Sequence, residues 1–127
     1  MLPIIDVQNI PLNPRPGYDA MVIQGAPKAS GRIVSFSDDG RTARVVWRGT
    51  PGKYRFTPDP SVIDVAYIVS GRLAIDQPGK GRIVLSAGSL VEFPREPFDL
   101  EIMETFLKVS FLYCAGGLKM KPEPLES

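Results

Sequence analysis

Glycine and proline recur along this chain so evenly that no ten residues sustain the 3.6-residue apolar period of a helix. The 12 Gly and 13 Pro are scattered, so they punctuate short segments and do not form a tract of their own. Between them lie short runs of strand-forming residues, several alternating apolar and polar side chains, as a half-buried strand does. Turn signals spaced by roughly 8–12 residues point to an all-β sandwich or barrel.

The strands follow from the breaks. Arg32 to Phe36 runs to Asp38-Asp39-Gly40, a hairpin turn whose Gly tolerates positive φ, and Thr42 to Trp47 returns. Pro51-Gly52 turns the chain into Lys53 to Thr57. Pro58-Asp59-Pro60 then interrupts, because neither proline can donate to a ladder. Asp64 to Val69 closes at Ser70-Gly71. Arg72 to Asp76 and Arg82 to Leu85 flank a second hairpin, and Ser89 to Phe93 stops at Pro94. Leu100 to Met103 and Thr105 to Tyr113 complete the set. Residues 1–30 read as an arm, with Ile4, Ile5, Val7, Ile10 and Leu12 to pack on the barrel or on a partner. Residues 31–115 are the barrel. Residues 116–127, with Pro122 and Pro124, are a tail that frays or forms a short surface helix.

The 127 residues suit one domain of roughly 100–150 residues. With 15 Lys and Arg against 14 Asp and Glu, the chain lacks the basic stripe of a nucleic-acid binder. No apolar run approaches the ~20 residues of a spanning helix. The N-terminus lacks the pattern of a secretory signal, and one cysteine cannot make an intramolecular disulfide, so a cytoplasmic location is expected. Cys114 follows Phe111-Leu112-Tyr113 and has no histidine to activate it, so it reads as a small buried hydrophobe.

The absence of histidine is the sharpest chemical limit: there is no imidazole for a metal or for a serine triad. Gly79-Lys80-Gly81 also lacks the spacing of a phosphate loop.

From Gly52 to Tyr113 the sequence resembles the cupins. Trp47-x-x-Thr50-Pro51-Gly52-Lys53-Tyr54 followed by Asp64-Val65-Ala66-Tyr67-Ile68-Val69-Ser70-Gly71 is similar to the first cupin motif. Gly88-x5-Pro94 is similar to the start of the second. The Trp-x-x-Thr-Pro-Gly segment and Glu104-x-x-x-Lys108 resemble the single-domain cupins grouped with ureidoglycine aminohydrolases and ethanolamine-utilisation proteins. The resemblance implies a jelly-roll β-barrel of two antiparallel sheets with a pocket in one mouth. It also implies a homodimer in which the N-terminal arm joins the partner's sheet. Cupin metal sites use two His and one Glu from the first motif and one His from the second. Here Asp64 takes the Glu position, the two upstream His positions fall within Thr57-Pro58-Asp59-Pro60, and Asp99 takes the last. No metal or cofactor is therefore expected, although Asp59, Asp64 and Asp99 leave open an oxygen site for a hard ion.

The resemblance places Asp64 inward, and with it, by alternation, Ala66 and Ile68. A carboxylate shielded from water suits a general acid or base. It also suits an ion pair with Arg or Lys at the wet end of the strand. Lys108, set amid Phe106, Leu107 and Val109, needs a partner such as Asp64 or Glu104. It either forms a structural pair or serves a ligand, by holding a carboxylate or forming a Schiff base. Trp47 and Tyr54, near the Pro-Gly turn, are the expected aromatic contacts, with Phe93 beside them. Arg55, like Arg44 and Arg48, would hold an anionic group, and Asp99 would complete the ligand shell.

Three readings of function result. One is a metal-free cupin that binds a small polar metabolite, with catalysis absent or lost. The second is a lyase, isomerase or aminohydrolase relative using Asp64 and Lys108, or Tyr54, as acid and base. The third is a dimeric structural or regulatory module.

Overall fold

A computed structural model describes residues 4–120. The elements, in chain order, begin with β1 (Asn13–Pro14), a 3-10 helix (Pro16–Met21), β2 (Val22–Gln24), β3 (Ala29–Phe36) and β4 (Thr42–Gly49). They continue with β5 (Gly52–Phe56), β6 (Ile63–Gln77), β7 (Gly81–Ser86), β8 (Leu90–Glu92) and β9 (Phe98–Tyr113). Among the described residues the chain is all β apart from the 3-10 turn, and it curls into the expected jelly roll.

Two long strands organise it. β9 pairs through its C-terminal half with β4 (Trp47 opposite Lys108) and through its N-terminal half with β5 (Tyr54 opposite Leu100). On its other edge it pairs with β6 along the whole length, from Ile63–Tyr113 to Asp76–Asp99. β6 and β9 thus pass from one sheet to the other. The sequence breaks at Ser70-Gly71 and near Glu104 are bends inside these strands and do not end them. The register slips between Ile68 and Leu73. Gly71, at φ 90°, makes the bend, because a Cβ there would strike the Thr105 carbonyl and the Phe106 backbone.

Inward positions carry the core: Trp47, Tyr54, Ala66, Ile68, Leu73, Ile75, Phe93, Phe98, Leu100, Ile102 and Phe106 are all buried. Ala66 and Ile68 point in, as alternation from Asp64 requires.

The arm packs on its own barrel. β1 pairs with β3, and β2 pairs with β5. Arg32, 1% exposed, donates from Nε to the Pro11 carbonyl at 2.6 Å and draws the arm across the outer face of the sheet. At the other end, the Leu118 amide donates to the Gly40 carbonyl at 2.7 Å. The rest of the expected tail, residues 121–127, lies outside the described residues. Among the described residues, no helix is long and apolar enough to cross a membrane.

Candidate functional site

The jelly roll is open at one mouth. A cleft of about 340 Å³ lies there, near the small end of the roughly 300–1,000 Å³ typical of ligand sites. Its floor and walls are mostly apolar, with five aromatic rings among them. Trp47 comes from β4, Phe56 from β5, Phe93 follows β8, Phe98 comes from β9, and Tyr18 reaches over from the 3-10 helix. Most of the rings meet edge-on or tilted, Tyr18 against Trp47 at 5.5 Å and Trp47 against Phe106 at 5.4 Å between centroids, while Phe93 stacks on Phe98 at 5.9 Å. Offset and edge contacts of this kind are worth about 0.5–1.5 kcal/mol per pair beyond the area they bury.

Two charges enter this apolar mouth. Asp64 and Lys108 both line the cleft, with Lys108 Nζ 3.6 Å from Asp64 Oδ2. That spacing is an ion-pair contact, too long for a strong hydrogen bond. The shorter contact of Lys108 is donation to Ser110 Oγ at 2.6 Å. Its ammonium also sits 4.8 Å from the centre of the Phe93 ring and 5.8 Å from that of Trp47, within cation–π range. Glu104, the other partner considered for Lys108, is exposed and faces Arg72 across the β6–β9 bend. Strand alternation explains the geometry: Lys108, Ser110 and Leu112 follow Phe106 on the inward face of β9, opposite Ile68, Ala66 and Asp64.

The polar atoms at the cleft are incompletely matched. Asp64 Oδ1 and Trp47 Nε1 are buried without a hydrogen-bond partner. Trp47 Nε1 approaches the Tyr18 phenol closely enough to favour its ionised form, yet falls outside hydrogen-bond geometry. The Tyr18 phenol is nonetheless pushed above its usual pKa, first by burial and then by the Asp64 carboxylate, with Arg15 and Trp47 pulling the other way.

Of the residues singled out in the sequence, Asp64, Lys108, Trp47 and Phe93 converge here. Three do not. Tyr54 is fully buried beneath the cleft, against Trp47 and Phe56, with its hydroxyl unpartnered; burial, then Asp19 and Tyr18, raises its pKa. Arg55 and Asp99 lie on the outside of the barrel and bind each other in a two-pronged pair at 2.9 and 3.2 Å. Their neighbours Tyr54, Phe56, Phe98 and Leu100 take the inward positions, so alternation turns both charges out. Tyr18 is the residue that sequence reasoning missed.

The metal of the cupin fold does not fit this donor set. Among the described residues, no three Cys, Asp or Glu side chains come together. Asp59 stays at the rim, bound to the Ser61 amide and hydroxyl at 2.9 and 2.7 Å, while Asp99 is on the far surface. Beside Asp64, the positive charge is an ammonium.

The profile of the EutQ-like cupin domain matches residues 36–109. The chain is a EutQ-like cupin. Among solved structures this cupin is similar to the Clostridium difficile EutQ protein, at TM-score 0.67 and 12% identity, covering 88% of this chain and 86% of that one. It is also similar to a protein of unknown function from Pseudomonas syringae pv. tomato, at TM-score 0.70 and 14% identity, covering 83% of this chain and 45% of that one. Ectoine synthase from P. lautus matches at TM-score 0.63 and 12% identity, covering 89% and 78%. At these identities the structures share the fold alone. A search of curated proteins returns no match.

Proposed function

We propose that this cupin binds a small polar metabolite in the aromatic mouth, over the Asp64–Lys108 pair, without a metal and without turnover. One observation carries the reading: Asp64 Oδ1 and Trp47 Nε1 are a buried acceptor and a buried donor with no protein partner, in the wall of one cleft. Leaving such groups unmatched costs roughly 1–3 kcal/mol each, and a ligand offering one donor and one acceptor would recover that. The rings of Phe56, Phe93 and Phe98 would cover its apolar body. Lys108 supplies positive charge beside Asp64, so the binding mode needs no cation. The single cysteine, free and buried, accords with a reducing, cytoplasmic setting.

A metabolite thermal-shift screen tests this, since a ligand at ~100 times its Kd adds about 2.7 kcal/mol. Trp47 is the only tryptophan in the chain, so quenching of its fluorescence should titrate with the same ligand. Binding should be lost in Asp64→Asn and in Lys108→Met. A hit that shifts both variants as much as the parent protein would sink the assignment. Stoichiometric iron, nickel or zinc in the purified protein would overturn the metal-free mode.

The convergence of Asp64 and Lys108 on one cleft favours a second reading, in which they act as base and acid on a bound substrate. Incubating metabolite pools with the protein and following them by NMR tests it. Turnover lost in both Asp64→Asn and Lys108→Met would replace the binding-only reading.

A further inference from the structure

The mouth of the barrel already holds one cation and one anion of its own, and together they limit the charge a ligand there can carry. Among the described residues, the charged side chains lining the cleft are Asp59, Asp64 and Lys108. Asp59 stands exposed at the rim, engaged with the Ser61 amide and hydroxyl. Deeper in, Asp64 and Lys108 are 28% and 13% exposed and oppose each other at 3.6 Å. Their charges cancel within an apolar wall, where a lone charge would be costly.

Each class of charged ligand meets an occupied site. A cationic ligand needs a carboxylate and open ring faces. The Asp64 carboxylate faces the Lys108 ammonium, and that ammonium already lies 4.8 Å from the centre of the Phe93 ring and 5.8 Å from that of Trp47. An anionic ligand needs Lys108, which donates to Ser110 Oγ at 2.6 Å and is balanced by Asp64. The lining offers no second cation to help, because Arg55 is turned outside and bound to Asp99. A zwitterion would have to part the pair. A neutral ligand leaves it intact.

The unmatched atoms of the site lie beside the pair and not within it. Lys108 engages Asp64 through Oδ2, and the orphaned acceptor is the other oxygen, Oδ1. The orphaned donor is Nε1 of Trp47, which stands directly opposite Lys108 in the β4–β9 register, so both side chains point to the same side of the sheet. One atom needs a donor and the other an acceptor. A primary carboxamide carries both, as N–H and C=O, without a charge. A cleft of about 340 Å³ has room for a single ring bearing that group, with Phe56 and Phe98 to cover the ring.

We infer that the Asp64–Lys108 pair acts as a charge filter, and that the ligand class of this mouth is a neutral, ring-bearing carboxamide. This class presupposes the cleft as the ligand site proposed above, and adds which ligands the pair admits.

Four probes built on one benzene ring test it: benzamide, benzoate, benzylammonium, and acetophenone, in which a methyl replaces the benzamide NH2. Binding is followed by ligand-observed NMR titration, with circular dichroism as a check on folding. Benzamide should saturate the parent protein with a Kd of about 1 mM, as a ligand of that size allows. The other three should each bind at least about tenfold more weakly, the two ions for their charge and acetophenone for its missing N–H. Asp64→Asn leaves the ammonium unbalanced, so that protein should lose benzamide and prefer benzoate. Lys108→Met leaves the carboxylate unbalanced, so preference should pass to benzylammonium.

A parent protein that prefers either ion, or takes acetophenone as well as benzamide, overturns the filter. If that binding disappears in Lys108→Met, the mouth still binds ligands over the pair and only the class is wrong. Benzamide binding unchanged in both variants puts the probe elsewhere and overturns the filter and the cleft reading together. A parent protein silent to benzamide up to about 20 mM overturns the carboxamide class, while the metabolite screen decides the cleft reading separately.

Discussion

The two halves of β6 and β9 share strands, ladder and alternation, yet one half is filled and the other is a cleft. Past the bend, the inward positions are Leu73 and Ile75 on β6 and Phe98, Leu100 and Ile102 on β9, all buried, with only Phe98 and Leu100 also reaching the wall of the cleft. Before it, the corresponding positions are Asp64, Ala66 and Ile68 on β6 and Phe106, Lys108, Ser110 and Leu112 on β9. The backbone does not differ in kind between them. What differs is side-chain volume and polarity: Ala66 and Ser110, paired side by side, put little volume into the barrel, and Asp64 and Lys108 face each other and the opening. The cleft is therefore written in a few substitutions along a regular strand. The filled half should carry stability, and the open half should carry binding.

The largest effects should fall at the bend and in the filled core. Phe106→Ala, at a fully buried position where the two halves meet, should cost about 3–5 kcal/mol in chemical denaturation. Gly71→Ala should cost about 2 kcal/mol or more, because it combines a positive φ with a collision against Thr105 and Phe106. If Gly71→Ala were neutral, the bend would be soft and the two halves would not be held in a fixed relation.

In the mouth, the order of effects should reverse between stability and ligand. Lys108→Met alone should cost about 1–2 kcal/mol, because it leaves the partly buried Asp64 carboxylate without its cation. Asp64→Asn/Lys108→Met together should lie within about 1 kcal/mol of the parent protein, since neither charge is then stranded. Both proteins should fail to bind any ligand that protects the parent. A double substitution as damaging as Phe106→Ala would make the pair a structural keystone and erase the contrast between the halves.

Much of this could be seen in the sequence, and the misses have physical causes. Gly and Pro spacing located nearly every turn because each turn is a local event. The same logic failed at Gly71, where a residue that usually ends a strand instead bends one; only the crossing of Thr105 and Phe106 beneath it tells the two apart. The partner of Lys108 could be narrowed to Asp64 or Glu104 because an inward charge must find an opposite one, and the structure selects Asp64. Arg55 and Asp99 were misplaced, although the aromatic and aliphatic residues on either side already claim the inward positions. The partner of Tyr18 was not legible at all. Its contacts with Trp47, Tyr54 and Phe56 join a short 3-10 turn to strands about 30–40 positions later, and no local period reports such closure.

Tyr18 gives the smallest and most selective test, because it touches the open half without holding it together. Tyr18→Phe keeps the ring and its edge contacts, so stability near neutral pH should change by less than about 1 kcal/mol. The difference should emerge in alkali. Burial and the Asp64 carboxylate raise the phenol above its ordinary 10.0 in the folded chain, while the unfolded chain releases that proton at 10.0. Above that pH the native state binds more protons than the unfolded state, so stability, intact below it, falls as pH rises through the raised value. Melting temperature followed across this range should therefore decline less steeply in Tyr18→Phe than in the parent protein. Some decline should remain, because Tyr54 is raised in the same direction by its own burial. Identical alkaline slopes would mean that the Tyr18 hydroxyl stands in water, leaving the cleft uncovered on that side and its polar groups already solvated.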